Sequence, residues 1–173
     1  MPKILDDARD NLIRVARKQA LTNGYPGMTI RSVAMECGYS VGTVYNYFRS
    51  KDLLVAAFML EDWNREVEDM TAKCAEVSPA EALKVIYDGL GHYSKLYASV
   101  FEDRTAQKSH ALNNRSYHMR LLAQIADIIE DALKRNGYTY SKLLPGFLAE
   151  SLLMWEMRKC SYEDLSEILN KLI

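Results

Sequence analysis

The chain has little of what staples, anchors or metallates a protein. Three cysteines in 173 residues, Cys37, Cys74 and Cys160, are an odd number at wide spacing, which offers no disulfide framework and suits reduced thiols. No apolar run approaches the roughly 18 residues that a bilayer span requires. The opening MPKILDDARDN carries acids where a secretory signal needs an apolar core, so no membrane partner and a cytoplasmic location are expected. A glycine-rich phosphate loop, an HExxH pair and a nucleophile elbow are all missing. His92, His110 and His118 share no ligand spacing with one another or with a cysteine cluster. The expectation is a protein that is no enzyme and holds no metal or cofactor. Low-complexity tracts and internal repeats are also missing. With 49% hydrophobic and 26% charged residues the chain can bury a real core, as one domain or as a small module joined to a larger one.

A net charge of -1 argues against a uniformly basic nucleic-acid binder, but the charges are unevenly spread. Residues 1–60 hold Lys3, Arg9, Arg14, Arg17, Lys18, Arg31, Arg49 and Lys51 against only Asp6, Asp7, Asp10, Glu36 and Asp52. The remainder has an acidic excess. This permits a small DNA-facing module on an acidic body and by itself proves nothing.

Apolar residues recur at three and four throughout, and no alternating stretch is long enough for a strand, so the fold class expected is all-α. A first helix runs from about Ile4 to Thr22 and stops at Asn23-Gly24. Thr29 caps a short helix over 30–37, Gly38 ends it, and Ser40 caps another over 41–48. Ser50 caps a long helix over 51–75. Ser78-Pro79 with Glu81 opens a helix reaching Phe101. Residues 102–114 are polar, with at most a short helix. Helices follow over 115–135, 143–158 and 162–172.

The informative stretch is Thr29 to Lys51, TIRSVAMECGYSVGTVYNYFRSK. Two short helices joined by a tight turn and supported by a longer preceding helix are the layout of a helix-turn-helix. The second helix shows small and hydroxylated groups, Ser40, Gly42 and Thr43, interleaved with Tyr45 and Tyr47. Such groups let a helix approach a major groove closely while hydroxyls reach phosphate oxygens.

This segment resembles the DNA-binding domain of the TetR family of bacterial transcriptional repressors, whose pattern reads approximately T-x-x-x-I-A-x-x-A-G-V-S-x-G-T-L-Y-x-Y/H-F-x-x-K-x-x-L. The matching residues are Thr29, Val33, Ala34, Cys37, Gly38, Tyr39, Ser40, Gly42, Thr43, Val44, Tyr45, Tyr47, Phe48, Lys51 and Leu54. The resemblance covers about residues 8–58. Three residues depart from the pattern: Ala20 stands where the family usually has Phe, Cys37 for a small Ala, and Tyr39 for Val. A neighbour such as Tyr25 or Tyr39 is expected to fill the volume lost at Ala20.

The resemblance divides the chain into a helix-turn-helix domain over 1–50 and a helical effector-binding and dimerisation domain over 51–173. It gives Thr29 a phosphate contact, Arg31 a guanine edge, and Val41, Asn46 and the Gly42 backbone the sequence preference. Thr43, Tyr45, Tyr47 and Lys51 form the phosphate clamp, with Ser40 beside them. Each has a plainer reading. Thr29 and Ser40 can be caps only, Tyr45 and Tyr47 half-buried packing, and Lys51 a solvated helix-start lysine. Arg14, Arg17 and Lys18 read as solvated surface, and Val33, Ala34, Val44 and Phe48 as core.

In the body the resemblance implies a cavity for a small hydrophobic effector lined by Trp63, Tyr87, Leu90, Tyr93, Tyr97, Met119, Leu122 and Ile125. An aromatic and methionine stripe at helical spacing is just as readable as ordinary core. Gly89 and Gly91 weaken their helix by about 1 kcal/mol each, which calls for a close approach or a cavity wall. The last two helices, through Phe147, Leu148, Ser151, Leu152, Trp155, Leu165, Ile168, Leu169 and Leu172, imply a homodimer whose two heads read a palindrome, with Glu156 and Arg158 on the rim. They could equally close the chain's own core. The function expected is a ligand-responsive homodimeric repressor binding double-stranded DNA. The alternative is a helical interaction or adaptor module that keeps the motif without ligand control.

Overall fold

The computed structural model describes residues 3–109, 115–169 and 171. Among these the chain is all-α. In order come α1 (Lys3–Gly27), α2 (Ile30–Cys37), α3 (Val41–Tyr47), α4 (Lys51–Cys74), α5 (Pro79–Leu96), α6 (Ala98–Phe101), a single 3-10 turn (Ala106–Lys108), α7 (Arg115–Arg135), α8 (Leu144–Met157) and α9 (Tyr162–Leu169). No helix among the described residues is long and apolar enough to cross a membrane.

The helix starts follow from their caps. Thr29 Oγ1 accepts from the Ser32 amide at 3.0 Å while Ser32 Oγ accepts from the Thr29 amide at 3.1 Å, a reciprocal box. Ser40 and Ser50 accept from the amides of Thr43 and Leu53. Ser78 and Glu81 form a second reciprocal box, whose hydrogen bonds hold the Glu81 carboxyl below its ordinary range. Each cap is worth about 1 kcal/mol, which matters most to helices as short as α2 and α3.

Two expectations about helix ends are corrected. The first helix does break at Gly24, whose φ of 71° and ψ of 171° are non-helical, but a further turn follows it to Gly27. The fifth does not reach Phe101. It stops at Leu96, and Tyr97 leaves the helical region (φ −106°, ψ 17°) before α6 begins. Tertiary contacts of the Tyr97 side chain decide this. Its ring is fully buried and stacks on Phe58, with centroids 6.0 Å apart.

The chain divides into two compact units. One holds the described residues of Met1–Trp63 and Leu96–Asn114, the other those of Asn64–Lys95 and Arg115–Ile173. In the first, α1 packs on α2 and α6, and α2 on α3, around Leu12, Ala16, Met28, Val33, Val44 and Phe58. Ala20 is itself fully buried, with Tyr25 also buried in the same unit. In the second, α7 lies along α8, burying Ile125, Ile129, Leu133, Leu148 and Leu152.

Gly89 and Gly91 part company in the structure. A Cβ at Gly89 would lie 2.6 Å from Met70 Sδ and 3.1 Å from Glu66 Oε1, so α4 and α5 approach closely there. A Cβ at Gly91 would meet nothing within 4 Å.

Candidate nucleic-acid interface

Gly38 makes the turn between α2 and α3 possible. It sits in the left-handed region (φ 71°, ψ 23°), where its amide and that of Tyr39 close off the last carbonyls of α2. The turn points Val44 inward, and it packs with Val33, Ala34 and Phe48 as the core of the pair. That assignment fixes what faces out. Gly42 and Asn46, one helical turn apart, lie on the side of α3 away from Val44, with Tyr45 and Val41 on the flank.

All these outer positions are exposed. Val41 keeps 39% and Tyr45 48% of its surface, unusual for apolar bodies in a helix of seven residues. A Cβ at Gly42 would touch only Ser40 Oγ, at 3.6 Å, so nothing in the head's own packing demands a glycine. Ser40 and Thr43 share a hydroxyl hydrogen bond of 2.8 Å in addition to the cap. On α2, Arg31 is exposed, and Met35, one turn further on, keeps 79% of its surface. Met35 was missed in the sequence. Its spacing of four from Arg31 is the signal that places it on the same face.

Two residues expected to contact phosphate are more engaged than their positions in the sequence suggest. The Thr29 hydroxyl is committed to its capping box with Ser32. Lys51 donates its ammonium to the Tyr25 carbonyl and lies 3.8 Å from the centre of the Tyr25 ring, and its partial burial pulls its pKa down. Tyr25 in turn donates to Asp52, and burial with that contact pushes its phenol above the usual range. Tyr47 is half-buried.

Arg17 is not the solvated residue that its surroundings in sequence suggest. Its guanidinium lies 2.8 Å from Glu61 and 3.0 Å from Asp62, clamping α1 to α4. Lys18 pairs with Glu36 at 3.0 Å, and Gln19 joins Glu36 at 2.6 Å while accepting from Ser32. These hydrogen bonds hold the Glu36 carboxyl below its ordinary range. The sequence missed this network because most of its members stand well over ten residues apart.

The eight residues expected to line an effector cavity do not gather within one compact unit. Trp63 and Tyr97 belong to the head unit and are fully buried there, with Tyr97 donating its hydroxyl to Asp62. Tyr87, Leu90, Tyr93, Met119, Leu122 and Ile125 belong to the second. Leu90, Leu122 and Ile125 are buried in it, Tyr87 and Tyr93 are half-buried, and Met119 is exposed. Tyr87 donates to the Cys160 carbonyl and packs on Tyr162, centroids 5.3 Å apart.

The expected dimer residues separate by face. Leu148, Leu152, Leu165 and Leu169 are buried within their own chain. Phe147 and Ile168 are exposed, with Leu143, Met154 and Met157 beside them on the same two helices or their edge. Ser151 and Trp155 are half-buried, and Leu172 lies outside the described residues. Glu156, expected on a rim, is 6% exposed because it extends the buried row of Leu148 and Leu152, and Lys159 neutralises it at 2.7 Å.

Residues 12–58 match the family model described as "Bacterial regulatory proteins, tetR family". Over that segment the chain is similar to the DNA-binding region of TetR-family regulators. The "HTH-type transcriptional regulator UidR" of Escherichia coli (strain K12) is 32% identical over 57 residues, 33% of this chain and 29% of the relative. The chain therefore aligns with less than a third of the length of that curated relative. "Salmonella enterica GusR" superposes with a TM-score of 0.63 at 22% identity, covering 87% of this chain and 80% of that one. A regulator from Saccharomonospora viridis, solved in complex with choline, gives 0.56 at 18% identity over 96% and 95%. The all-α plan beyond the head is thus shared with these two solved structures.

Proposed function

We propose that the protein is a ligand-responsive transcriptional repressor that binds a palindromic DNA operator as a homodimer. The observation that carries the reading is the outer side of α3. It presents Gly42, which internal packing does not require, between exposed Tyr45 and Asn46, and Arg31 is exposed on α2. A glycine there lets helix backbone approach a groove, and flanking tyrosines and cations suit phosphates on either side.

Two heads on one palindrome require a second copy, and α8 supports where it docks. Its outer side leaves Phe147, Met154 and Met157 uncovered, with Glu150 exposed among them. Large apolar side chains grouped on an exposed helix face suit a protein partner. For the effector, the choline held by the Saccharomonospora viridis relative and the stearoyl-CoA held by FadR of Bacillus subtilis support small-molecule control. Half-buried Tyr87 and Tyr93 with Leu90, Leu122 and Ile125 are the residues of the second unit that such a molecule would meet. Any effector releases DNA only by its differential affinity for the two states.

Selection from a randomised duplex pool with the purified chain tests the reading. Enrichment of an inverted repeat supports it. Failure to enrich any sequence contradicts it.

A further inference from the structure

The recognition helix α3 carries the sequence VGTVYNY, and what it lacks limits what it can read. It has no Arg or Lys, so no fork for guanine O6 and N7. It has no Asp or Glu, the charged acceptors that favour the cytosine amino group. The hydroxyls at its start, Ser40 and Thr43, bond each other, and Ser40 also holds the cap, which ties both to the helix start. Of the side chains with their own surface to offer, Tyr45 and Tyr47 end in phenols suited to phosphate oxygens. Val41 and Asn46 remain, both short and both exposed. Short side chains reach base edges only if the helix comes close, and the bare Cα of Gly42 between them is what allows that approach.

We infer that α3 reads adenine–thymine pairs: the exposed isopropyl group of Val41 packs on a thymine 5-methyl group, and the free amide of Asn46 pairs with adenine N7 and its 6-amino group. Any guanine in a half-site is then read by Arg31 on α2, outside α3. The inference rests on the DNA-binding function proposed above and specifies the base pairs under its recognition helix.

The test uses the full chain and a duplex enriched from a randomised pool. That duplex is compared with one in which deoxyuridine replaces thymidine, which removes the methyl groups and leaves the pairing intact. Each methyl group lost from contact weakens binding about fourfold. Val41→Ala binds both duplexes alike, because the surface that felt the methyl group is gone. Replacing adenine by 7-deazaadenine weakens the natural chain about tenfold and leaves Asn46→Ala indifferent. Enriched duplexes that bind equally with thymidine or deoxyuridine, or that hold G·C pairs under α3, overturn the inference while DNA binding stands. A pool from which nothing is enriched overturns both.

Discussion

Tyr97 donates its phenolic hydrogen to Asp62, and the same carboxylate oxygen lies 3.0 Å from Arg17 Nε. Three segments distant in sequence, α1, α4 and the start of α6, are thereby joined inside the head unit. Tyr97→Phe keeps the stack on Phe58 and removes only the hydroxyl, so urea unfolding should show a loss of about 2 kcal/mol, the usual cost for a hydrogen bond to a charged acceptor. Arg17→Ala, which removes the cation shared by Glu61 and Asp62, should cost at least as much. A Tyr97→Phe variant as stable as the natural chain would make the contact incidental.

The two glycines of α5 make an opposed pair. Gly91→Ala adds a Cβ into open space and should stabilise by up to about 1 kcal/mol through helix propensity. Gly89→Ala pushes into Met70 and gains nothing unless that side chain swings aside. Thermal unfolding of both variants separates the cases, and equal midpoints would show that α4 and α5 do not meet as closely as described.

Alkaline titration should expose Tyr25. Burial and the hydrogen bond to Asp52 raise its phenol above the ordinary value of 10.0, so its contribution to stability is intact below pH 10 and falls away as pH rises beyond it. Unfolding followed from pH 9 to 12 should show a shallower loss for Tyr25→Phe than for the natural chain. Parallel slopes would remove Tyr25 from the titrating groups that matter.

The second copy should be sensitive to the uncovered side of α8. Phe147→Asp with Met154→Asp should yield monomers in sedimentation and weaken operator binding while helicity persists, because neither side chain belongs to the buried core. Dimers that survive both changes would put the interface elsewhere.

The turn chemistry was the most legible part of the chain. Thr29, Gly38, Ser40, Ser50 and Ser78 act through bonds to residues at most five positions away, so spacing alone reveals them. The inward side of α3 was legible for the same reason, through Val44 and Phe48. What stayed hidden depends on partners remote in sequence. Tyr97 ends α5 because of Phe58 and Asp62, and Arg17 looks solvated until Glu61 arrives. The apolar rows of α8 and α9 were visible, but helical periodicity cannot say which of two apolar sides of a helix meets its own core. Glu156 shows the limit most clearly. A glutamate reads as surface, yet its register with Leu148 and Leu152 buries it, and Lys159 makes that tolerable.

The most direct test of the central claim is an anisotropy titration of the enriched duplex against a scrambled duplex of the same composition, repeated across salt concentrations. Two chains per duplex, a preference of at least about a thousandfold, and a steep salt dependence that Tyr45→Ala flattens are the predicted result. Equal affinity for both duplexes, or a titration unchanged by Tyr45→Ala and by Asn46→Ala alike, would contradict it.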